Sequence, residues 1–233
     1  MLRSVLPELL DALPADDPRA THSRRDLRRV NALMGHADII ARALLEGRRA
    51  RPPATLVELG AGDGTLLLQV ARRVAPGWNG LRAVLVDQQR LVTAQTRAQF
   101  EALSWQVESV QADVFQWLRE RAAHTADITI ANLFLHHFVE RDLFTLLRDV
   151  SLRTRLFLAC EPRRSRPALA AAAMLGLIGC NGVTVHDATT SVRAGFGGHE
   201  LSSAWPRGAA WKLTEGKAGR FTHLFLAEHA TLV

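Results

Sequence analysis

Cysteine is scarce in this sequence, and long apolar runs are missing. Only Cys160 and Cys180 are present among 233 residues, and two thiols in apolar stretches are ordinary buried residues rather than a disulfide framework. The longest apolar run, residues 168–179, is shorter than the about 20 residues that a membrane-spanning helix needs. The short apolar stretch at the N-terminus contains Pro7 and Glu8, so it is not typical of a signal peptide. These features exclude a disulfide-rich scaffold and a membrane span, and they favour a cytoplasmic protein.

Lysine is nearly absent, although the chain is basic. Only Lys212 and Lys217 occur, while the formal net charge is +6. The arginines are scattered in ones and twos beside acids, as in residues 24–26, and no nucleic-acid-binding module is recognisable. Basic charge without such a module is a weak sign of nucleic-acid binding. We therefore do not expect nucleic acid to be the main partner.

The overall composition predicts a globular protein with one main domain. Hydrophobic residues make up 48% of the chain and charged residues 22%, a balance that does not suit a disordered chain. A chain of 233 residues is long enough to bury one large core. No internal repeat or low-complexity linker is visible. We therefore expect one domain over residues 51–233, preceded by a helical extension or lid over residues 1–50.

Apolar residues at helical spacing mark the N-terminal extension. They run through residues 23–47, and Ser23 and Asp26 stand in the relation of a capping box at the start of this stretch. Gly35 lies in the middle and predicts a division into two helices.

Strand-like segments alternate with helical segments through the middle of the chain. The predicted strands are residues 55–59, 81–87, 107–113, 126–134 and 155–162. The predicted helices between them are residues 65–75, 88–103, 114–122 and 139–151. Such alternation is typical of a parallel, doubly wound sheet with helices on both faces.

The pattern changes after residue 163. A further apolar helix is expected over residues 167–179, and the polar stretch 181–205, which has weak periodicity, is expected to be a loop. The last part of the chain predicts a closing hairpin of two strands around a turn at residues 215–219.

The first predicted strand runs into a glycine-rich loop, with the sequence VELGAGDG at residues 57–64. Gly60, Gly62 and Gly64 let the backbone turn tightly and approach a ligand, and the helix that follows offers free N–H groups. A dinucleotide-binding fingerprint would need its third glycine at the position of Thr65. Instead, Glu58 stands two residues before the first glycine.

This spacing of an acid and three glycines resembles motif I of the class I S-adenosylmethionine-dependent methyltransferases. In that family the acidic residue, here Glu58, helps to hold the methionine end of the cofactor. A carboxylate at this place would attract the cofactor's ammonium group and would repel a pyrophosphate. The resemblance implies a Rossmann-like class I methyltransferase fold. This is a doubly wound, mostly parallel sheet of seven strands with an antiparallel C-terminal hairpin strand, here with an N-terminal helical extension.

The resemblance also implies cofactor contacts at the ends of the next three strands. They are Asp87, with Gln88 beside it, for the ribose hydroxyls; Asp113, with Val114 beside it, for the adenine; and Asn132 near the donor methyl. In open α/β sheets ligands bind outside the carboxyl ends of the strands, so these residues would line one crevice. The implied cofactor is S-adenosyl-L-methionine.

The second half of the chain resembles bacterial small-molecule methyltransferases that are linked to polyketide-like or quinone-like substrates. In such enzymes the substrate contacts come from the region after the fifth strand and from an N-terminal lid. His186 and Arg193 are the implied substrate-binding residues, and a polar surface loop is the alternative for this stretch. Arg29 and Asn31 are candidate cofactor contacts on the lid, and the alternative is an amphipathic helix packed on the sheet.

Two adjacent histidines, His136 and His137, follow the fourth predicted strand. A histidine is the usual general base when a hydroxyl must lose its proton, so both are catalytic candidates. Because neighbouring side chains on a strand point to opposite faces, we expect only one of them, preferably His136, to face the pocket. In the alternative, neither touches the substrate. No spaced set of metal ligands is evident in the sequence, so we expect no metal requirement.

The sequence therefore predicts a methyltransferase that uses S-adenosylmethionine to methylate a small molecule, with O-methylation of a hydroxylated aromatic or polyketide-like compound as the main hypothesis. An RNA or protein methyltransferase is the first alternative, although residues 132–135 lack the sequence typical of base methylation. A non-catalytic nucleotide-binding protein is the second. The oligomeric state and the choice between O- and C-methylation stay open.

Overall fold

One sheet of seven strands organises the computed structural model, which describes residues 1–14, 16–46, 52–120, 126–208 and 210–230. The strands are β1 (Thr55–Leu59), β2 (Arg82–Asp87), β3 (Gln106–Gln111), β4 (Ala126–Asn132), β5 (Thr154–Pro162), β6 (Trp211–Ala218) and β7 (Thr222–His229). The α-helices are α1 (Leu9–Ala12), α2 (Pro18–Met34), α3 (His36–Glu46), α4 (Thr65–Val74), α5 (Ala94–Glu101), α6 (Val114–Glu120), α7 (Glu140–Ser151), α8 (Arg166–Ala173), α9 (Gly182–Ala194) and α10 (Glu200–Ala204).

The strand order is β3-β2-β1-β4-β5-β7-β6. The first five strands of that order pair in parallel, and β7 pairs antiparallel with both β5 and β6. The predicted fold is thus confirmed. The chain moves to opposite sides of β1 when it forms β2 and then β4, which opens a crevice at the carboxyl ends of these strands.

Both faces of the sheet are buried, which explains why the central strands are almost wholly apolar. Leu56 of β1 packs into a core on one face with residues of α3, α4 and α5. Val57 and Leu59 belong to the core on the other face, with residues of α6, α7 and α10. The alternation of a strand therefore fixes which helix layer each residue meets.

The N-terminal helices join this architecture in different ways. Ile40 and Leu44 of α3 are buried in the first core, so α3 is part of the helix layer. Gly35 has a φ of 68° and ends α2, which confirms the predicted division into two helices. The predicted boundary between residues 50 and 51 lies outside the described residues, and the extent of the lid stays a prediction.

The predicted capping box at Ser23 and Asp26 is wrong. Helix α2 begins earlier, at Pro18, and its N-cap is Asp17, whose carboxylate accepts a hydrogen bond from the backbone N–H of Arg19 at 2.7 Å. Ser23 and Asp26 lie inside the helix and are buried. They face α9 rather than their own helix end.

The prediction of a loop over residues 181–205 is also wrong, because most of this stretch forms α9 and α10. Asn181 caps α9 through its side chain. The buried side of α9 carries the polar residues Thr184, Asp187 and Thr190. A helix with a polar buried side shows no apolar periodicity, which is the signal that sequence reading depends on.

Two element boundaries differ from the sequence-based expectation. The closing hairpin is confirmed, but its turn lies at residues 219–221, and Gly219 has a φ of 76°. Helix α5 begins at Ala94 rather than at residue 88, because Thr93 caps it by accepting a hydrogen bond from Thr96 N at 3.1 Å. Residues 88–93 are thereby left beside the crevice.

Among the described residues, no helix combines the length and hydropathy that crossing a bilayer needs.

The segment before α2 lies along α9, and hydrogen bonds between backbone and side-chain groups hold it there. The backbone N–H groups of Leu9 and Leu10 donate to the Asp187 carboxylate at 2.8 and 2.9 Å. The Arg3 guanidinium donates to the carbonyl oxygens of Ala194 at 2.8 Å and Phe138 at 2.9 Å. Asp187 is buried, and its carboxylate binds the backbone of the N-terminal segment. This contact positions the segment beside the crevice.

Candidate cofactor and methyl-transfer site

A cavity of about 410 Å³ lies at the carboxyl ends of β1, β2 and β4. Ten of the residues predicted from the sequence line it: Asn31, Glu58, Gly60, Gly62, Asp87, Gln88, Val114, Asn132, His136 and His137. Five predicted residues do not line it: Arg29, Gly64, Asp113, His186 and Arg193. Most of the cofactor candidates at the carboxyl ends of the strands therefore lie together, as expected. The substrate candidates lie elsewhere.

The glycine-rich loop presents an open backbone to the cavity. Gly60, Gly62 and Gly64 have φ angles of 68°, 56° and 75°, a region that favours glycine. A Cβ atom on Gly62 would meet no atom within 4 Å, so the space above this residue is free. A Cβ atom on Gly64 would lie 2.9 Å from Leu85 Cδ1, so Gly64 packs the loop onto β2 instead of facing a ligand.

Asp87 holds the loop in place from the end of β2. Its carboxylate accepts hydrogen bonds from the backbone N–H groups of Gly62 and Gln89, both at 2.8 Å. Burial raises the pKa of Asp87 and outweighs the opposite effect of these two hydrogen bonds. Each carboxylate oxygen retains acceptor capacity beyond one hydrogen bond, so a ribose hydroxyl can bind here as well.

Asp113 caps a helix. Its carboxylate accepts hydrogen bonds from the backbone N–H groups of Phe115 and Gln116, both at 3.0 Å, at the start of α6. The neighbouring Ala112 and Val114 line the cavity, but Asp113 does not. The predicted contact between Asp113 and the adenine thus has no support from its position.

Glu58 carries a buried carboxyl group whose charge is not compensated. The residue is 2% exposed, and its Oε2 atom has no hydrogen-bond partner among the described residues. Burial, followed by the nearby charges of Asp63 and Asp87, raises the pKa of Glu58 well above its usual range. A buried acceptor without a donor is costly, and a cationic ligand would relieve that cost.

The cavity therefore fits S-adenosylmethionine and disfavours a phosphate-bearing ligand. Glu58, Asp63 and Asp87 would repel a pyrophosphate, whereas the ammonium and sulfonium of S-adenosylmethionine are both positive. The free space above Gly62 allows the close backbone approach that such a ligand needs.

His136 is held by a buried carboxylate at the end of β5. Glu161 is fully buried, and its Oε2 lies 2.7 Å from His136 Nδ1. Its Oε1 accepts hydrogen bonds from the backbone N–H groups of Phe134 at 3.0 Å and Leu135 at 2.8 Å. Leu133, in the turn before them, has a φ of 50°. Glu161 thus fixes both the imidazole ring and the loop that carries it.

The second nitrogen of His136 faces Glu8 of the N-terminal segment. His136 Nε2 lies 3.3 Å from Glu8 Oε1, and the hydroxyl of Ser191 donates to the same oxygen. Burial disfavours the charged imidazole, but the hydrogen bonds and charges of Glu161 and Glu8 outweigh it and raise the pKa of His136 to about 9. The pKa of Glu8 is lowered. Burial acts to raise it, but the hydrogen bond to His136 and the nearby positive charge outweigh this effect.

His137 also lines the cavity, so the expectation that only one histidine faces it is wrong. The two rings have centroids 4.3 Å apart and planes inclined by 33°. Both residues belong to the short 3-10 helix Leu135–His137, so the alternation of a strand does not apply to them. His137 Nδ1 lies 3.2 Å from the exposed carboxylate of Asp11.

Sequence reasoning missed three residues of this site. Glu161 ends the fifth strand, and the strand-end rule that selected the other acids would have found it. Glu8 and Ser191 lack such a signal, since Glu8 is separated from His136 by 128 positions. The predicted substrate residues lie outside: Arg193 is exposed, and half-exposed His186 is 3.0 Å from Asp187 Oδ1.

One group of side chains has the spacing of metal ligands. Glu8, His136 and His137 each offer one atom, and these atoms lie within 4.8 Å of one another. The carboxylates at both ring nitrogens of His136 raise its pKa to about 9, and a histidine binds a metal only as a neutral imidazole. The ligand distances nevertheless suit a cation, and a carboxylate at Nδ1 is also the usual partner of a metal-bound histidine.

A Gly62→Arg variant should lose binding of S-adenosylhomocysteine, because its side chain would fill the space above the loop. Gly80→Arg is the matched control, since Gly80 also has a positive φ, 76°, and also has no atom within 4 Å of an added Cβ atom. Both variants carry the same backbone strain of about 1–2 kcal/mol. Calorimetric titration should show binding in Gly80→Arg alone, and normal binding by Gly62→Arg would contradict the placement of the cofactor loop.

Comparisons with known proteins agree with this geometry. Residues 56–154 match a family model described as a methyltransferase domain. No curated protein is a significant match to the chain. Among solved structures, an O-methyltransferase family protein from Burkholderia thailandensis is 20% identical, with a TM-score of 0.61 over 93% of this chain and 61% of that one. Mitomycin 7-O-methyltransferase is 18% identical, with a TM-score of 0.59 over 95% of this chain and 60% of that one.

These likenesses agree on the fold over nearly the whole chain, while the family match covers its central part. The chain spans about six tenths of the length of the two solved structures. The matched residues contain the glycine-rich loop, Asp87 and His136. Residues 56–154 are therefore similar to the methyltransferase domain family, whose cofactor is S-adenosylmethionine, and the fold around them is that of the two O-methyltransferase structures.

Proposed function

We propose that this protein transfers the methyl group of S-adenosylmethionine to a hydroxyl oxygen of a small molecule, most directly a hydroxylated aromatic or polyketide-like compound. The observation that carries the proposal is the His136–Glu161 pair, which combines a histidine that lines the cofactor cavity with a buried carboxylate 2.7 Å from its other nitrogen. A histidine oriented in this way is suited to take a proton from a hydroxyl group.

The chain's own residues hold the cofactor and leave its reactive end free. Glu58 would hold the ammonium end of the cofactor, Gly62 would allow its close approach to the backbone, and Asp87 would accept hydrogen bonds from its ribose. When bound, S-adenosylmethionine supplies an electrophilic methyl group on a sulfonium. The protein then has to hold the acceptor oxygen in line with that methyl group and to remove the oxygen's proton.

In the proposed mechanism His136 takes the proton at Nε2. Glu161 accepts a hydrogen bond from Nδ1–H, which fixes the tautomer and stabilises the imidazolium that forms. Glu8 lies at the same Nε2 atom when no substrate is bound, so the substrate hydroxyl replaces Glu8 there. Glu8 can keep its hydrogen bond from Ser191 during this exchange.

Aromatic side chains favour a flat, aromatic acceptor. Phe134 and Phe138 line the cavity beside His136, with ring centroids 5.1 Å apart in an edge-to-face arrangement. Phe115 packs edge-on against Phe138 at 5.5 Å. Rings arranged in this way offer both faces and edges to an aromatic ligand.

Methylation of a panel of phenols, quinols and polyketides, followed by mass spectrometry, tests the proposal. We expect a one-methyl mass gain with at least one compound, and none with RNA or protein at equal concentration. His136→Ala should lower turnover by about 100-fold or more, the usual contribution of a general base. His137→Ala is the matched control and should lose less than tenfold. Equal rates in the two variants, or methylation of RNA alone, would contradict the proposal.

The dependence of kcat/KM on pH should reveal the charge on His136. Because its pKa is about 9 and the base must be neutral, kcat/KM should rise with pH up to about 9. Glu8→Gln removes one of the carboxylates that raise this pKa, so the rise should occur at lower pH. Asp11→Asn, which changes a carboxylate beside His137 instead, should leave the profile in place. If Glu8→Gln left the pH profile unchanged, Glu8 would not raise the pKa of the catalytic base.

We expect catalysis to need no metal ion, because the proposed proton transfer uses only the imidazole of His136 and the carboxylate of Glu161 that orients it. Activity after treatment with EDTA and desalting should equal that of protein desalted without the chelator. A loss of activity that Mg²⁺ or Zn²⁺ restores would show instead that Glu8, His136 and His137 bind a metal.

A further inference from the structure

Helix α2 covers the cofactor cavity, although it precedes the region that matches the methyltransferase family. Leu27, Arg28 and Asn31 line the cavity, and their spacing of one and then three residues places them on one side of the helix. Two contacts fasten this side across the opening. Arg28 Nη1 lies 2.7 Å from Asp63 Oδ2, and Arg24 Nη2 donates to Gln89 Oε1 at 2.9 Å.

Asn31, on the side of α2 that lines the cavity, has an acceptor oxygen without a hydrogen-bond partner in the described part of the chain. Its Oδ1 atom is buried and has no hydrogen-bond partner among the described residues. Glu58 Oε2, which belongs to a residue lining the same cavity, is in the same state. Asn132 Oδ1, at the end of β4, is a third such atom on the lining. Buried acceptors are normally paired, so three unpaired oxygens around one cavity indicate a ligand that brings donors.

The chemistry of Asn31 Oδ1 and Glu58 Oε2 indicates which kind of ligand group would bind there. A carboxyl group and an amide oxygen accept hydrogen bonds, and neither oxygen has a proton to give when the carboxyl is ionised. A carboxylate or phosphate of a ligand would be repelled by Glu58, whereas an ammonium group carries three N–H donors and a positive charge. The only ammonium group of S-adenosylmethionine is on its methionine part.

We infer that Asn31, on the covering helix α2, shares with Glu58 the binding of the α-ammonium group of the cofactor's methionine part. This inference rests on the proposed function, because it requires S-adenosylmethionine to bind in this cavity. It makes α2 part of the cofactor site. The ion pair between Arg28 and Asp63 is partly exposed and would contribute little by itself.

Two ligands that differ in the amino-acid part give a direct test by calorimetric titration. S-adenosylhomocysteine carries the ammonium group, whereas 5′-methylthioadenosine lacks it and keeps the adenosine. Asn31→Ala should weaken binding of S-adenosylhomocysteine by about tenfold or more, the usual effect of losing a hydrogen bond to a charged group. Binding of 5′-methylthioadenosine should not change. Leu33→Ala, an exposed position on the same helix, is the control and should change neither constant.

A conservative variant separates this role from a structural one. Asn31→Asp keeps an oxygen acceptor and adds negative charge, so it should bind S-adenosylhomocysteine at least as tightly as the wild type. Equal weakening of both ligands by Asn31→Ala, or no weakening of either, would overturn the inference. If the wild type bound 5′-methylthioadenosine but not S-adenosylhomocysteine, the inference would fail and the adenosine site would stand. If it bound neither ligand, the proposed function itself would fail.

Discussion

The carboxylate of Glu161 is the group on which the arrangement of the site depends. It is fully buried at the end of β5, where a charge without partners would be strongly unfavourable. The backbone N–H groups of Phe134 and Leu135 and the ring of His136 surround it with donors. Because these donors come from the loop after β4, Glu161 can be satisfied only when that loop turns in one particular way. The turn at Leu133, with its positive φ, and the direction of His136 into the cavity follow from this single requirement.

The second constraint is an excess of negative charge around the cavity. Glu58, Asp63 and Asp87 are close enough that the latter two raise the pKa of Glu58. The ion pair of Arg28 with Asp63 relieves part of this repulsion. The ammonium group of S-adenosylmethionine, placed near Glu58, would relieve it further. The same electrostatics that make the loop unsuitable for a pyrophosphate therefore make it suitable for a sulfonium compound.

Sequence reading succeeded where burial is apolar and failed where it is polar. The central strands and the glycine-rich loop were predicted almost to the residue, because β1 is apolar on both faces and Gly62 needs a backbone that other residues rarely adopt. Helix α9 was missed because its buried side carries Thr184 and Asp187, which meet polar groups of the N-terminal segment. Glu8 was missed for a related reason. Its partner His136 lies far away in the sequence, and only the path fixed by Asp187 brings the two together.

The N-terminal segment and α2 therefore give this domain two groups that the family-matched residues do not contain. Glu8 lies 3.3 Å from Nε2 of His136, and Asn31 lines the same cavity as Glu58. Both are carried by one stretch of chain, residues 1–34, which is fastened to α9 through Asp187 and through the buried pair of Ser23 and Thr184. One set of contacts with α9 therefore positions both groups at the cavity.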